Sequence, residues 1–202
     1  MKKLLLLLLL CPVLAMAKTI LPGTITFNDN TTRTGLIEIQ DDHKQQRIFF
    51  KTDKKAQKET ISIDDVQFYV VTNEANEKIK FYTLKLAVVP NFSTKYKISD
   101  KKSWVRLEKA GEVNIITAWN AKGAVYYLHK PHEDFARYLI TLYGENGCCS
   151  HFKMFKFDME RIFKDDCPDL VKSLDTLDKD EFRTHGPFLA AILFTQYCDI
   201  HE

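Results

Sequence analysis

Residues 23–39 read GTITFNDNTTRTGLIEI. Ile25 and Phe27 alternate with Thr24 and Thr26. Asn28-Asp29-Asn30 forms a turn cluster, and Ile37 and Ile39 flank Glu38 in a second run that opens at Gly35. A period of two marks a strand with one buried face. The stretch therefore predicts two strands joined by a short polar turn.

The same alternation continues outward. Ile48 and Phe50 follow the polar loop 41–46, Ile61 and Ile63 flank Ser62, and Val66, Phe68 and Val70 follow Asp64-Asp65. Five short strands in about fifty residues have the rhythm of a small, strongly bent barrel over 23–72, similar in spacing to SH3-like and Sm-like units; such barrels close their own edges. A second β-series follows: 79–89, then a polar segment 91–101 read as a loop, then 104–107, 113–119, 125–129 and 138–143. Gly111 and Lys122-Gly123 supply hairpin turns. The β-rich body is expected over 18–155.

The pattern changes at Phe157. Asp158 is placed to cap a helix over 159–164. Pro168 opens a second helix at a position where its missing N–H costs nothing. Gly186-Pro187 opens a last one through Tyr197, apolar nearly all round and so expected to pack on the sheet. The fold class is α+β: mostly antiparallel β-structure, then two or three helices over 156–202.

Upstream, residues 1–17 (MKKLLLLLLLCPVLAMA) carry a basic start, an apolar run and a small-x-small end at Ala15 and Ala17, which predicts an export leader cut before Lys18. The apolar run is too short to span a bilayer. The alternative is lipid attachment at Cys11, against which Leu10 is not small and Pro12 follows. The expected address is periplasmic or secreted, with no transmembrane segment in the mature chain. The leader takes Lys2 and Lys3 from the 29 basic residues, leaving 27 against 27 acidic ones. A neutral chain of interspersed charges has no global field for nucleic acid.

The motifs GxIxFxDxTxxxGxIxI, RIxFK and IxxDDVxFYVV (23–71), WVRLEKAGEVNII and YYLHK (104–130), and FKDDCPDLVKSL and ILFTQYCD (163–199) resemble a group of exported, β-rich proteins of Bacteroidetes-type bacteria. The group has no assigned activity. The resemblance implies the layout and the exported location and transfers no catalytic residue. The adjacent Cys148-Cys149 departs from it.

Four cysteines follow the leader. Adjacent Cα atoms lie about 3.8 Å apart, below the usual disulfide range, and neighbours on a strand face opposite ways. This favours Cys167 with Cys198, whose loop of about thirty residues adds roughly 3–4 kcal/mol in the chain-entropy model. Cys-Cys is not the Cys-x-x-Cys of a redox site.

The segment His129-Lys-Pro-His132-Glu-Asp134 is the sharpest polar cluster. With Pro131 making a turn, His129 and His132 are weak candidate metal ligands that would face solvent together. Their spacing is not the helical His-Glu-x-x-His of a zinc protease. No nucleophile motif or phosphate-cradling glycine loop is present. Among paired aromatics, Phe49, Tyr69, Tyr82 and Tyr126 are the candidate outer members of a stacking platform. The expectation is a non-enzymatic binding or envelope-associated module without cofactor, taking an envelope protein or glycan. The alternative is a metal-dependent or hydrolytic enzyme centred on His129 and His132.

Overall fold

Gly23 faces Gly35 across the first hairpin, β1 (Ile20–Phe27) with β2 (Thr32–Glu38). Neither position has room for a side chain. A Cβ would stand 2.4 Å from the Val70 carbonyl oxygen at Gly23, and 2.3 Å from that of Lys51 at Gly35. The glycines let neighbouring backbone cross closely, and the strands bend there. The turn is held by Asp29, whose carboxylate accepts from Thr31 N–H at 2.9 Å and Thr31 Oγ1 at 2.6 Å. These are features of a computed structural model that describes residues 19–40, 42–90, 95–120, 123–142 and 148–198. The expected leader, with Cys11, Ala15, Ala17 and Lys18, lies outside the described residues.

Three further strands complete the first unit: β3 (Arg47–Lys51), β4 (Glu59–Ser62) and β5 (Val66–Thr72). Their order is β5-β1-β2-β3-β4, antiparallel throughout. β4 and β5 therefore run the same way and do not pair; a 3-10 turn, Ile63–Asp65, carries the chain between them. Ile25, Ile37, Ile48, Phe50, Ile63 and Tyr69 fill the core that the strands enclose.

The ring that closes by hydrogen bonds is in the second series. β6 (Lys78–Val88), β7 (Lys97–Lys109), β8 (Asn114–Asn120), β9 (Gly123–His129) and β10 (Phe135–Leu142) form a meander, and β10 returns to β6. An odd meander ends in the direction it began, so the closing pair, Phe135–Arg137 with Lys85–Ala87, is parallel. β5 pairs with β6 and joins both units in one ten-stranded sheet. Period-two alternation sends Val105, Ile116, Val125 and Tyr127 into the closed barrel, and Ile115 and Leu128 to its outer face. The segment 97–101, expected as a loop, is strand. Its polar side chains hid a pairing with β6 that resumes at Ala87–Ile98 after a register shift.

The helices lie on that outer face: α1 (Cys148–Phe163), α2 (Pro168–Ser173), α3 (Lys179–His185) and α4 (Leu189–Tyr197). A 3-10 turn at Gly186–Phe188 joins the last two into one broken run. One expectation is corrected. α1 begins at Cys148, not near Asp158, and Asp158 is buried in its middle. Phe155, Phe157 and Met159 also alternate at period two, which disguised a helix whose buried stripe is Phe155, Met159, Ile162 and Phe163. Gly186-Pro187 opens the last run as expected, through the 3-10 turn into α4 and on to Tyr197; the helix without a sequence expectation is α3, capped by Asp178. Cys167 and Cys198 are disulfide-bonded with Cα atoms 5.6 Å apart, tying the start of α2 to the end of α4. The side chains of Cys148 and Cys149 lie outside the described residues. No helix among the described residues is long and apolar enough to cross a membrane.

Candidate functional site

The two histidines singled out by the sequence are not brought together. His132 is exposed in the turn after β9, whereas His129 ends the strand with 4% of its surface accessible. Asn114 Nδ2 lies 3.3 Å from His129 Nδ1, and His129 Nε2 lies 3.0 Å from the Glu133 carbonyl oxygen. The consistent assignment has the amide donating to Nδ1 and the ring donating through Nε2. Burial holds its pKa below the ordinary value, so the ring is neutral. Both nitrogens are occupied, which leaves no lone pair for a metal. Among the described residues no group of three or more His, Cys, Asp or Glu could hold one.

The aromatic platform is also dissolved. Tyr69 points inward and Phe68 outward, the reverse of the expected phase. Tyr126 is covered edge-on by Phe188 at 6.2 Å, and the Lys58 ammonium sits 3.7 Å above Phe49.

The feature that the fold builds from distant segments is a cavity of about 620 Å³ that reaches Leu86 and Tyr127 of the closed barrel's core. Lys97, Lys101 and Lys102 of β7 and Lys44 of the β2–β3 loop wall it, with His43, Ser99 and Ser103. No acidic residue lines it among the described residues. The four lysines make no ion pair among the described residues. Lys97, Ser99, Lys101 and Ser103 recur at period two along β7, and a register shift between the Lys85–Lys102 and Ala87–Ile98 pairs interrupts the alternation where Lys102 joins the wall.

The loop that brings Lys44 is fixed by hydrogen bonds to the barrel. Trp104 N–H donates to the His43 carbonyl at 2.9 Å, and His43 Nδ1 lies 2.7 Å from the Trp119 carbonyl oxygen. Gln46 Nε2 donates to the Lys44 carbonyl at 2.7 Å and reaches that of Lys102 at 3.2 Å. At the rim Asp42 accepts from Lys44 N–H at 2.9 Å. Ser103 is only 7% exposed, lines the cavity and makes no side-chain hydrogen bond among the described residues. Its hydroxyl opens onto the cavity and is placed to donate to a ligand oxygen there.

A second hollow, about 640 Å³, adjoins the first at Val88 and Tyr127, which line both. Val88 is the register partner of Lys97, so the lysine wall and the apolar ridge meet across one strand pair. Val88, Val89, Pro90, Met154 and Phe157 give the second hollow its apolar character. Phe157 is 59% exposed and Met154 48%. Behind them Asp158 is paired with Arg161. Burial pushes the Asp158 carboxyl up to about 6 against the pull of that guanidinium.

The sequence reading missed this site because its lysines come from two polar segments that look like ordinary solvated loops. One signal was present: K-x-S-x-K-x-S over 97–103 has a period of two and runs directly into Trp104. Comparisons of the chain with protein-family models, with curated proteins and with solved structures return no match.

Proposed function

We propose that the protein is an exported, non-enzymatic binding module whose ligand is an anion held in the lysine-walled cavity. The observation that carries this reading is the convergence of Lys44, Lys97, Lys101 and Lys102, none of them ion-paired among the described residues, on one cavity that also presents the Ser99 and Ser103 hydroxyls. Lysine offers a compact, rotatable point charge, which suits phosphate, sulfate or carboxylate groups without demanding one bidentate geometry. Both hollows fall within the roughly 300–1,000 Å³ range of small-molecule sites. Export rests on the leader-like first seventeen residues and on the Cys167–Cys198 bond, which suits an oxidising compartment. The ligand is accordingly sought in the cell envelope, on a partner protein or an acidic glycan or lipid.

The test is calorimetric titration of the purified protein with inorganic phosphate at low salt. Saturable binding that weakens as salt rises, and is lost in the Lys97→Glu/Lys101→Glu variant, is the expected result. Binding that is absent in the parent protein, or unchanged in the variant, overturns the reading.

A further inference from the structure

The two hollows differ in chemistry and share a border, and we infer that together they take a single-chain anionic lipid, its acidic headgroup among Lys97, Lys101 and Ser103 and its acyl chain over Val88, Met154 and Phe157. The inference rests on the lysine cavity being an anion site. It adds the occupant of the apolar side.

Charge complementarity carries the first half. The wall presents unpaired ammonium groups, and the one titratable acid of the second hollow, Asp158, is already paired with Arg161. The second hollow is itself net basic through Lys153 and Arg161, so neither half would repel an acidic head. Exposure carries the second half. Phe157, Met154 and Val88 are large apolar side chains left 59%, 48% and 42% accessible along one hollow. Scattered apolar residues need no explanation, but a row of them lining a concavity does. Methionine adapts to a flexible chain. The Arg161 guanidinium, 5.4 Å from the Phe157 ring centroid, steadies that ring from behind.

A lipid joins these demands where a free anion meets only one. The register pair Val88 and Lys97 sets charge beside hydrocarbon on adjacent strands, as the boundary between headgroup and chain requires. An acidic peptide with apolar residues would meet the same surface. The run of Val88, Val89, Pro90, Met154 and Phe157 along the hollow, with Lys153 and Arg161 as its charged neighbours, favours the chain.

Alkyl phosphates of two to ten carbons, each kept monomeric, are titrated into the full protein alongside inorganic phosphate. The affinity should rise about fourfold for each methylene that becomes buried. In a Met154→Ser/Phe157→Ser variant, both sites being surface-exposed, the chain-length dependence should flatten while inorganic phosphate binds as before. In Lys97→Glu/Lys101→Glu every ligand should weaken. If inorganic phosphate binds and the alkyl chain adds nothing, the lipid inference falls and the anion site stands. If no phosphate binds at any chain length, both fall. Tighter binding of an acidic, leucine-containing peptide than of decyl phosphate also overturns the lipid inference.

Discussion

The Trp104 ring of β7 stands edge-on to the Tyr69 ring of β5, with centroids 5.3 Å apart, so a strand of the closed barrel completes the core of the first unit. Tyr69 also stacks on Phe81 of β6 at 4.7 Å. The two β-units thus share core side chains as well as a sheet, and they are expected to unfold together. Trp104→Ala should cost about 3–5 kcal/mol and lower the urea midpoint in one transition. Two separated transitions would show that the units are independent.

The same pair yields a stabilising change. Neither the Tyr69 hydroxyl nor the Trp104 indole N–H has a hydrogen-bond partner among the described residues. Tyr69→Phe removes a buried oxygen while keeping the ring, and should raise stability by about 1 kcal/mol. A loss of that size in urea unfolding would mean the hydroxyl is satisfied.

Gly35 tests the bend of the first β-unit. An added methyl would meet the Lys51 carbonyl oxygen at 2.3 Å and the Phe50 ring at 2.6 Å, and a backbone oxygen cannot swing aside. Gly35→Ala should therefore destabilise by roughly 1–3 kcal/mol, the usual cost of overpacking. Gly186→Ala is a contrasting control with no steric neighbour, although its positive φ of 55° disfavours a side chain. An unchanged urea midpoint for Gly35→Ala would contradict the close crossing.

The Cys167–Cys198 bond closes a loop across a sequence separation of 31. Cys198→Ser should lower stability by roughly 3–4 kcal/mol, read as a fall in midpoint under oxidising conditions. The parent protein with reductant should fall to the same level. A variant as stable as the oxidised parent would contradict the bond.

Two buried groups give opposing pH dependences. His129 titrates below its ordinary 6.5 because of burial, so the stability tied to its neutral ring is complete above pH 6.5 and is lost as the solution is acidified below it. Asp158 has a folded value of about 6 against 3.8 unfolded. Its contribution is complete below about pH 3.8 and is lost as pH rises through 6. Relative to the parent, His129→Gln should gain stability as pH falls from 6.5. Asp158→Asn should lose relative stability over pH 6 to 4, by up to roughly 3 kcal/mol. Unfolding curves for variant and parent that stay parallel across pH would contradict both assignments.

Much of the β-architecture is legible from residues alone. The alternation about Ile25, Ile37, Ile48 and Ile61 marks the first four strands. The pairing of Cys167 with Cys198 is favoured by their places at the start of one helix and the end of another, but reduced cysteines fit the residues too, and the bond itself is seen only in the structure. Closure of the second barrel was not legible, because the parallel pair of β10 with β6 joins residues about fifty positions apart and leaves no local pattern. Phe68 and Tyr69 are both aromatic, so composition could not tell which faces inward. The lysine cavity escaped for the same reason as the barrel closure: Lys44 meets Lys97, Lys101 and Lys102 only once the β2–β3 loop has been tied to Trp104 and Trp119.

The most direct test of the anion site is to map it by amide NMR while decyl phosphate is titrated into the full protein. The account predicts saturable shifts concentrated at residues 43–46, 86–88 and 97–103, with the chain extending them to 154–161. Shifts centred instead on 129–134, or spread evenly over the surface without saturation, would contradict it.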